Sequence, residues 1–527
     1  MEKPEAGAGK DWKNLGQLAG LKETGRHVLK FDGKQIALLN TEAGLFAINN
    51  RCPHEGYPLI EGTLNDSCTL ACNWHGWAFD LKSGEALQGR DAVRTYPVER
   101  RGDDIWIDLT PVPNTVRAAK AYDELDEAMA EHDYERIARS LCRLDQASVP
   151  YEEVAKRVIS WSLPRFERGF GHAHAGLADW IDLAGDDDDL RLVAFLETFG
   201  NFSWDALFSQ PLEQLPAKAA PWDATAFLKE LEAMNSLAVL GRVRGAFEAG
   251  LRFRDIKPAY LDFIFSHYAG FGHPAIYVAA LERLSASLGA EVEETLALQL
   301  AHYLCVAARE DLIPEFRGFA DYLRVDAGTT AAPRATEFVG TSVRNAMALT
   351  AASLRDPEGL YDALLGAAAL NMLGFDLELQ HAVKQPIARN IGWLDFTHAI
   401  TFAEAVHTHA SENAGYWQSG LMQMACFVGR NSSFVGEADL DKWRVTDKPA
   451  FLAQQKAALF NMDVGEYIYG VHRLKMVCAV ERLDRFVSEA TSELVFAALN
   501  RYLHTRLRQR HPARAAYQAR QSVLREG

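Results

Sequence analysis

The first hundred residues alternate short apolar runs with turn residues such as Asp32 and Gly33. Runs of four to six residues between such turns are typical of antiparallel strands. After the last run, Pro111 and Pro113 interrupt any regular element. This pattern predicts a small all-β domain over residues 1–112. The predicted strands cover residues 27–31, 35–39, 45–48 and 104–109.

From residue 116 the pattern changes, and Ala, Leu and Glu recur at helical spacing, as in residues 122–129 and 295–302. Almost no alternation of period two is left, so the pattern predicts packed helices over residues 116–527. A chain of 527 residues also exceeds the size of a single hydrophobic core. The predicted fold class is therefore multidomain, with a small all-β domain followed by a large all-α domain.

Two short segments in the first domain each combine one cysteine with one histidine. The first contains Cys52 and His54, and the second contains Cys72 and His75. Two thiolates and two imidazoles are the ligand set of a Rieske [2Fe-2S] cluster, in which the imidazoles raise the reduction potential. Because the pattern occurs twice, each time inside a turn, it is unlike ordinary buried thiols. We therefore predict that these four residues bind a Rieske cluster.

Residues 10 to 110 resemble Rieske domains beyond the four ligands. Respiratory-complex members carry a cysteine in each loop and a serine after the second His-Gly pair, whereas this chain has Tyr57, Trp74 and Trp77 there. The domain is therefore similar to the ferredoxin and oxygenase type. This resemblance implies a reduction potential toward the low end of the Rieske range, about −150 mV. The further matching residues are Pro58, Leu59, Gly62, Gly76, Trp77, Ala78, Phe79, Asp80, Ser83 and Gly84.

The chain is acidic, with a formal net charge of −16, which argues against nucleic acid or an anionic membrane as its partner. Residues 1–5 lack the apolar core of a signal peptide, and no apolar run is long enough to span a membrane. We therefore expect a soluble, cytoplasmic protein. Five further cysteines are scattered and odd in number, which does not suggest a disulfide framework. They are Cys68, Cys142, Cys305, Cys426 and Cys478.

A fused Rieske domain most often supplies electrons to a catalytic iron in an α/β domain, and no such domain follows here. An electron acceptor must therefore be sought among the histidines of the helical part. The histidines in apolar or Gly- and Ala-rich stretches are His172, His273, His302, His381, His398 and His472. Imidazole ligands suit iron, and copper or zinc less specifically. We predict a second, non-haem iron site formed from His172, His273, His302, His381 and His398.

A predicted helical hairpin would bring two of these histidines side by side. The helix before Pro386 and the helix after Gly392 are predicted to run antiparallel, which brings His381 beside His398. Two buried imidazoles at one level need a shared partner, and a metal would be one.

The pairs Glu378/His381 and Glu404/His407 leave a di-iron carboxylate site open as an alternative. The hairpin disfavours it, because it places His407 about 15 Å of helix rise away from His381.

Three segments of the helical part resemble scattered motifs of the questin oxidase-like family. The resemblance implies oxygen-inserting ring cleavage of anthraquinone-type polyketides, and it carries over His172, His273 and His398 as site residues. The three segments are residues 171–175, 272–277 and 395–401.

These observations favour an oxygenase in which a Rieske cluster passes electrons to a histidine-ligated metal for O2-dependent oxidation of an apolar or aromatic small molecule. No Gly-x-Gly-x-x-Gly fingerprint follows a predicted strand, so we expect a separate NAD(P)H-dependent reductase or ferredoxin as electron donor. The alternative is an electron carrier or redox sensor whose helices serve as a docking platform. Whether the chain forms a homo-oligomer stays open.

Overall fold

The computed structural model describes residues 10–17, 25–66, 68–209, 218–325, 328 and 330–526. Residues 1–5, on which the expectation about a signal peptide rests, lie outside the described residues. The chain divides into two compact units, Met1–Lys120 and Ala121–Gly527. The first unit is an all-β domain, and the second is a large helical domain, as the residue pattern predicts.

The first unit contains eleven strands among its described residues, in three antiparallel sheets. The sheet orders are β1-β11-β10, β2-β3-β4-β9 and β5-β6-β7-β8. All four predicted strands are confirmed, as β2, β3, β4 and β11. The strands are β1 (Trp12–Gln17), β2 (Arg26–Phe31), β3 (Lys34–Thr41), β4 (Gly44–Asn49), β5 (Thr63–Leu64), β6 (Thr69–Ala71), β7 (Ala78–Asp80), β8 (Ala86–Gln88), β9 (Thr95–Tyr96), β10 (Val98–Arg101) and β11 (Asp104–Asp108).

The two cysteine and histidine segments form loops of this domain. The first loop connects β4 to β5, and the second connects β6 to β7. Cys52 and Cys72 lie in the same buried cluster as Leu59, Leu70 and Phe79. The apolar core therefore fixes one side of both loops.

Helices account for the regular structure that follows β11. They are α1 (Asn114–Glu131), α2 (Tyr134–Gln146), α3 (Tyr151–Ser162), α4 (His172–Ala184), α5 (Asp188–Leu207), α6 (Ala224–Glu232), α7 (Ser236–Glu248), α8 (Phe253–Ser266), α9 (His273–Leu288), α10 (Glu293–Val306), α11 (Phe319–Tyr322), α12 (Ala335–Phe338), α13 (Val343–Ala352), α14 (Pro357–Gly374), α15 (Glu378–His381), α16 (Trp393–Glu412), α17 (Trp417–Asn431), α18 (Leu440–Trp443), α19 (Lys448–Leu459), α20 (Tyr467–Leu483), α21 (Glu489–His504) and α22 (Pro512–Val523). No strand occurs after β11 in the part of the chain that is described.

Four of these helices pack in a closed ring at the centre of the helical domain. Helix α4 contacts α9 and α20, and α16 contacts the same two helices. All four are rich in buried side chains, as the strong apolar content of their sequences requires. The ring brings together chain segments that are up to 300 residues apart, from His172 on α4 to His472 on α20.

The chain between α14 and α16 does not form the predicted hairpin of two long helices. Helix α14 ends at Gly374, because Phe375 adopts an extended conformation. The four-residue helix α15 then carries Glu378 and His381 separately. The predicted hairpin requires both residues at the end of one continuous helix, so this break removes its geometric basis.

The described part of the chain contains no helix that combines the length and the apolar character needed to cross a lipid bilayer.

Candidate metal centres

The two loops of the β domain share one backbone pattern. The N–H of Gly56 donates to the carbonyl of Cys52, and the N–H of Cys52 donates to the carbonyl of Tyr57. In the second loop Gly76, Cys72 and Trp77 repeat these two bonds. Gly56 and Gly76 have φ values of 75° and 74°, a left-handed conformation that glycine adopts without steric cost. Each loop therefore folds into the same tight turn.

The turns direct two thiols and two imidazoles toward one region. Nδ1 of His54 lies 3.1 Å from Nδ1 of His75. Cys52 and Cys72 are 4% and 2% exposed, and burial, together with the neighbouring Cys72, raises the pKa of the Cys52 thiol to about 11. A thiolate at this position therefore needs a bound cation.

An indole ring stacks on each of these histidines. Trp77 lies 4.8 Å from His54, and Trp74 lies 5.1 Å from His75, measured between ring centroids. These contacts restrict the rotation of both imidazoles while their Nδ1 atoms face each other.

The second group of histidines lies inside the ring of four helices, and each helix contributes one. His172 and His273 are the first residues of α4 and α9, whereas His398 and His472 each lie at the sixth position of α16 and α20. Nε2 of His273 lies 3.0 Å from Nε2 of His172 and 2.8 Å from Nε2 of His398. Nε2 of His472 lies 3.2 Å from Nε2 of His398. We call these residues the four-histidine cluster.

The opposite ring nitrogens fix the tautomers of three members of the cluster. Nδ1 of His273 lies 2.5 Å from the carbonyl oxygen of Gly270, and Nδ1 of His398 lies 2.5 Å from that of Leu394. Nδ1 of His472 lies 2.6 Å from the carbonyl oxygen of Ile468. A carbonyl can only accept, so each Nδ1 carries the proton and each Nε2 presents its lone pair. Histidines that bind metals commonly make this second contact.

A strained turn positions His273. Three consecutive residues before it have left-handed φ values, which are 56° for Gly270, 52° for Phe271 and 76° for Gly272. A Cβ atom at Gly272 would lie only 2.8 Å from the ring of Phe402, so only glycine fits there. Such strain is stored where the surrounding structure enforces a functional geometry.

Comparison with known proteins identifies the β domain. A family model described as "Rieske [2Fe-2S] domain" matches residues 11–97. The 3-phenylpropionate/cinnamic acid dioxygenase ferredoxin subunits of Shigella boydii serotype 4 and Escherichia coli strain K12 are each 45% identical over 76 residues. The match spans 14% of this chain and 72% of each relative. The chain belongs to the Rieske [2Fe-2S] domain family.

Solved structures of oxygenases are also similar to part of the chain. The terminal oxygenase of carbazole 1,9a-dioxygenase from Nocardioides aromaticivorans IC177 is 22% identical, with a TM-score of 0.18. Apo dicamba monooxygenase is 26% identical, also with a TM-score of 0.18. The similarity covers 19% of this chain in both cases, and the chain spans only 30% and 34% of these two proteins.

The residues at both centres fit the groups that the sequence predicts. In the Rieske loops, two buried thiols and two facing imidazoles match the ligands of a [2Fe-2S] cluster. In the four-histidine cluster, the ligand atoms all lie within 4.8 Å of one another. His273, His398 and His472 point their Nε2 lone pairs at the same region with no proton between them, an arrangement that a cation would stabilise.

A buried lysine lies close to the cluster. Lys475 is 3% exposed, and its Nζ has no hydrogen-bond partner among the described residues. Burial lowers the pKa of Lys475 to about 8, and its charge in turn lowers the pKa of His273 and the other three members of the cluster. The region around the cluster therefore disfavours any additional proton.

A network of ion pairs is packed beside Lys475. Nη1 of Arg482 lies 3.0 Å from Asp179, and Nε of Arg482 lies 3.0 Å from Glu404. Arg283 also binds Asp179, at 2.5 Å. Asp182 also lies 3.4 Å from Nη1 of Arg283. Three carboxylates thus face two guanidinium groups and one amine, so the charges of the network balance when Lys475 is protonated.

A cavity of about 360 Å³ reaches the cluster at His172. Phe166, Phe170, Trp204 and Phe208 form its apolar part. Arg168, Glu167 and Asp205 add polar groups, and burial raises the pKa of Asp205 to about 7. Aromatic side chains combined with a few polar groups are a common lining of small-molecule sites.

The structure brings together three of the five histidines predicted for the second site: His172, His273 and His398. It does not bring His302 and His381 to them. Both ring nitrogens of His302 are engaged, since Nδ1 lies 2.6 Å from the Ser236 hydroxyl and Nε2 lies 2.7 Å from the Glu167 carbonyl. His381 is exposed on α15, with Nδ1 3.2 Å from Arg508.

His472 and Lys475 are the site residues that sequence reasoning did not select. His472 was recognisable as a histidine in an apolar stretch, and Lys475 as a charged residue three positions later on the same helix. Neither signal shows which distant helices surround α20, so the sequence could not place them beside His398.

The second pair of the di-iron alternative, Glu404 and His407, makes other contacts. Glu404 binds Arg482, and His407 stacks on the ring of Phe486. A further grouping of Glu282, His409 and Glu412 already holds a cation, because the ammonium group of Lys257 lies 2.6 Å and 2.5 Å from its two carboxylates.

Acid should destabilise the metal-free helical domain. Burial lowers the pKa of His172, His398 and His472 well below 6.5, and that of His273 to about 3. Below pH 6.5 the unfolded chain therefore binds more protons than the folded one, and the free energy of unfolding falls as the pH falls toward 3. Each of these histidines contributes about 1.4 kcal/mol per pH unit.

Urea unfolding of chelator-treated protein, followed by helical circular dichroism at pH 7.5 and 5.5, measures this effect. Equal stability at both pH values would contradict the buried, neutral state of the four histidines.

Proposed function

We propose that this protein is an oxygenase that uses two metal centres. In this proposal Cys52, His54, Cys72 and His75 hold the Rieske cluster, and the four-histidine cluster holds one non-haem iron. The observation that carries the proposal is the convergence of four imidazole Nε2 atoms inside a chain that also contains a Rieske domain. Iron bound there would activate dioxygen with single electrons supplied through the Rieske cluster.

The chain's own residues prepare the second centre. The carbonyls of Gly270, Leu394 and Ile468 hold three imidazoles in the tautomer that offers Nε2. His398 and His472 are 4% and 0% exposed, so the surrounding helices keep bulk water away from their rings. Such a site binds metal with little reorganisation.

The cavity at His172 supports an apolar or aromatic small molecule as substrate. Phe166 and Phe170, which precede α4, and Trp204 and Phe208, at the end of α5, all line it. Aromatic side chains bind planar apolar molecules through buried area and ring contacts. Arg168 and Asp205 would orient polar substituents of the substrate.

Electrons would come from another protein. The ferredoxin subunits similar to the Rieske domain are components of a dioxygenase system, according to their names. We propose a separate NAD(P)H-dependent reductase or ferredoxin as the donor for this chain. The same similarity favours the second candidate function, an electron carrier with a non-catalytic helical domain. The two functions differ in whether the four-histidine cluster holds a metal.

Oxygen labelling tests the proposed reaction. Protein kept reduced by a chemical donor should consume 18O2 in the presence of a matching aromatic compound and give a product that contains 18O. A panel of compounds that differ in ring number and in polar substituents allows the substrate to be found by O2 uptake. If the reduced cluster is reoxidised but no compound in the panel acquires label, the carrier function is favoured over the oxygenase.

A further inference from the structure

A second cavity of about 360 Å³ lies at the N-terminal end of α16. It shares no lining residue with the cavity at His172. The first turn of α16, the start of α22 and Tyr469 of α20 line it. His398 lies one turn further along α16, and its Nδ1 contacts the carbonyl of Leu394, which lines this cavity. None of the ligands in the proposed function lines it.

The cavity is unusually basic for this acidic protein. Arg508, His511 and Arg514 line it, and His381 contacts Arg508 beside it. The segment from residue 505 to 526 contains six arginines and one acidic residue, whereas the whole chain has a net charge of −16. Two of these arginines, Arg508 and Arg514, line the cavity.

The arginines have no carboxylate partner among the described residues. Arg514 is 7% exposed, and it donates only to backbone carbonyls, those of Ala382 and Leu379, at 2.8 Å and 2.6 Å. The side chain of Arg508 contacts the carbonyl of Arg510 and the ring of His381. A nearly buried guanidinium without a counter-charge is costly, and an anion would relieve that cost.

The one carboxylate in the lining is already engaged. Asp395 accepts from the N–H of Gly392 at 2.9 Å and lies 3.6 Å from Nη2 of Arg430. Its pairing with Arg430 leaves the charges of Arg508 and Arg514 uncompensated.

Two further features supply hydrogen-bond donors. Trp393 lines the cavity and is 2% exposed, yet its Nε1–H has no acceptor among the described residues. The 20-residue helix α16 begins at this residue, so the positive end of its dipole and its first N–H groups lie at the same cavity. The lining thus offers several donors, and its one carboxylate is already paired.

We propose that this cavity binds small molecules through an oxyanion, either a carboxylate or a phosphate group. Arg508 and Arg514 provide the counter-charge, and Trp393 with the first turn of α16 provides further donors. This binding site is separate from the metal chemistry, so it exists whether or not the four-histidine cluster holds iron.

Calorimetric titration of the full-length protein with inorganic phosphate and with benzoate tests the site. The two probes distinguish a phosphate ligand from a carboxylate ligand, and saturable binding of either one supports the proposal. Arg508→Gln should weaken that binding at least about tenfold, since a charge-assisted hydrogen bond contributes about 1.5–3 kcal/mol. The proposal is overturned if neither anion binds the unmodified protein.

Arg520→Gln is the matched control. Arg520 lies on α22, the helix that also carries Arg514, and it is exposed and does not line the cavity. Its substitution makes the same change in charge as Arg508→Gln. Anion binding should be unchanged in this variant. If both variants lose affinity equally, the loss reflects the lower net charge of the protein and not a specific site, and the proposal is overturned. If Arg508→Gln does not fold, Trp393→Phe tests the same lining, because it removes only the Nε1–H donor. Weaker anion binding is expected in this variant, and unchanged affinity would contradict the proposal.

Discussion

Replacing His398 by Ala should remove the second metal and all O2-dependent turnover while leaving the Rieske spectrum intact. Nε2 of His398 lies 2.8 Å from that of His273 and 3.2 Å from that of His472, so it contacts two other members of the cluster. Loss of a residue that merely supports a ligand lowers metal affinity about 10–100-fold, and loss of the ligand itself should cost more. The Rieske cluster would still be reduced, but no acceptor would receive its electron.

Metal analysis, visible absorption and product assays on this variant provide the readouts. His407→Ala is a suitable control, because His407 lies on the same helix but stacks on Phe486 outside the cluster. The control should retain both metals and turnover. If His398→Ala keeps both the second metal and substrate oxidation, His398 is a structural residue and not a metal ligand.

Replacing His54 by Ala should abolish the absorption and paramagnetic resonance signals of the Rieske cluster. Each of the four ligands supplies one of four protein bonds to the cluster, and a missing imidazole exposes one iron to loss. Because His54 belongs to the other unit of the chain, the four-histidine cluster should keep its metal. Turnover supported by the reductase should nevertheless be lost, since electrons no longer reach that metal.

A matched pair of cysteine variants sharpens the assignment. Cys52→Ser should behave like His54→Ala, whereas Cys68→Ser should keep the spectrum, because Cys68 lies outside the two turns that direct Cys52 and Cys72 toward each other. An unchanged Rieske spectrum in His54→Ala would remove the ligand assignment.

The Rieske domain could be predicted in detail because its information is local. Each loop carries its own cysteine, histidine and glycine within five residues, and the two loops are only about twenty positions apart. Strands β2, β3, β4 and β11 are short apolar runs bounded by turn residues, so their positions could also be predicted from the sequence.

The four-histidine cluster could be predicted only in part because its geometry is not local. The apolar setting of His172, His273 and His398 marked them as candidates, but their convergence depends on which helices pack together. The predicted hairpin is wrong for His381, because α14 ends at Gly374, before the chain reaches His381. His302 shares the apolar setting, yet it serves to hold the backbone at Glu167.

The proposed oxygenase requires iron at the four-histidine cluster. A crystal structure of the protein as purified, with anomalous diffraction collected at the iron edge, tests this directly. We predict two iron peaks at Cys52, His54, Cys72 and His75, and a third, separate peak among His172, His273, His398 and His472. Peaks at the Rieske loops alone, in protein that contains two irons per chain, would contradict the oxygenase and leave an electron carrier.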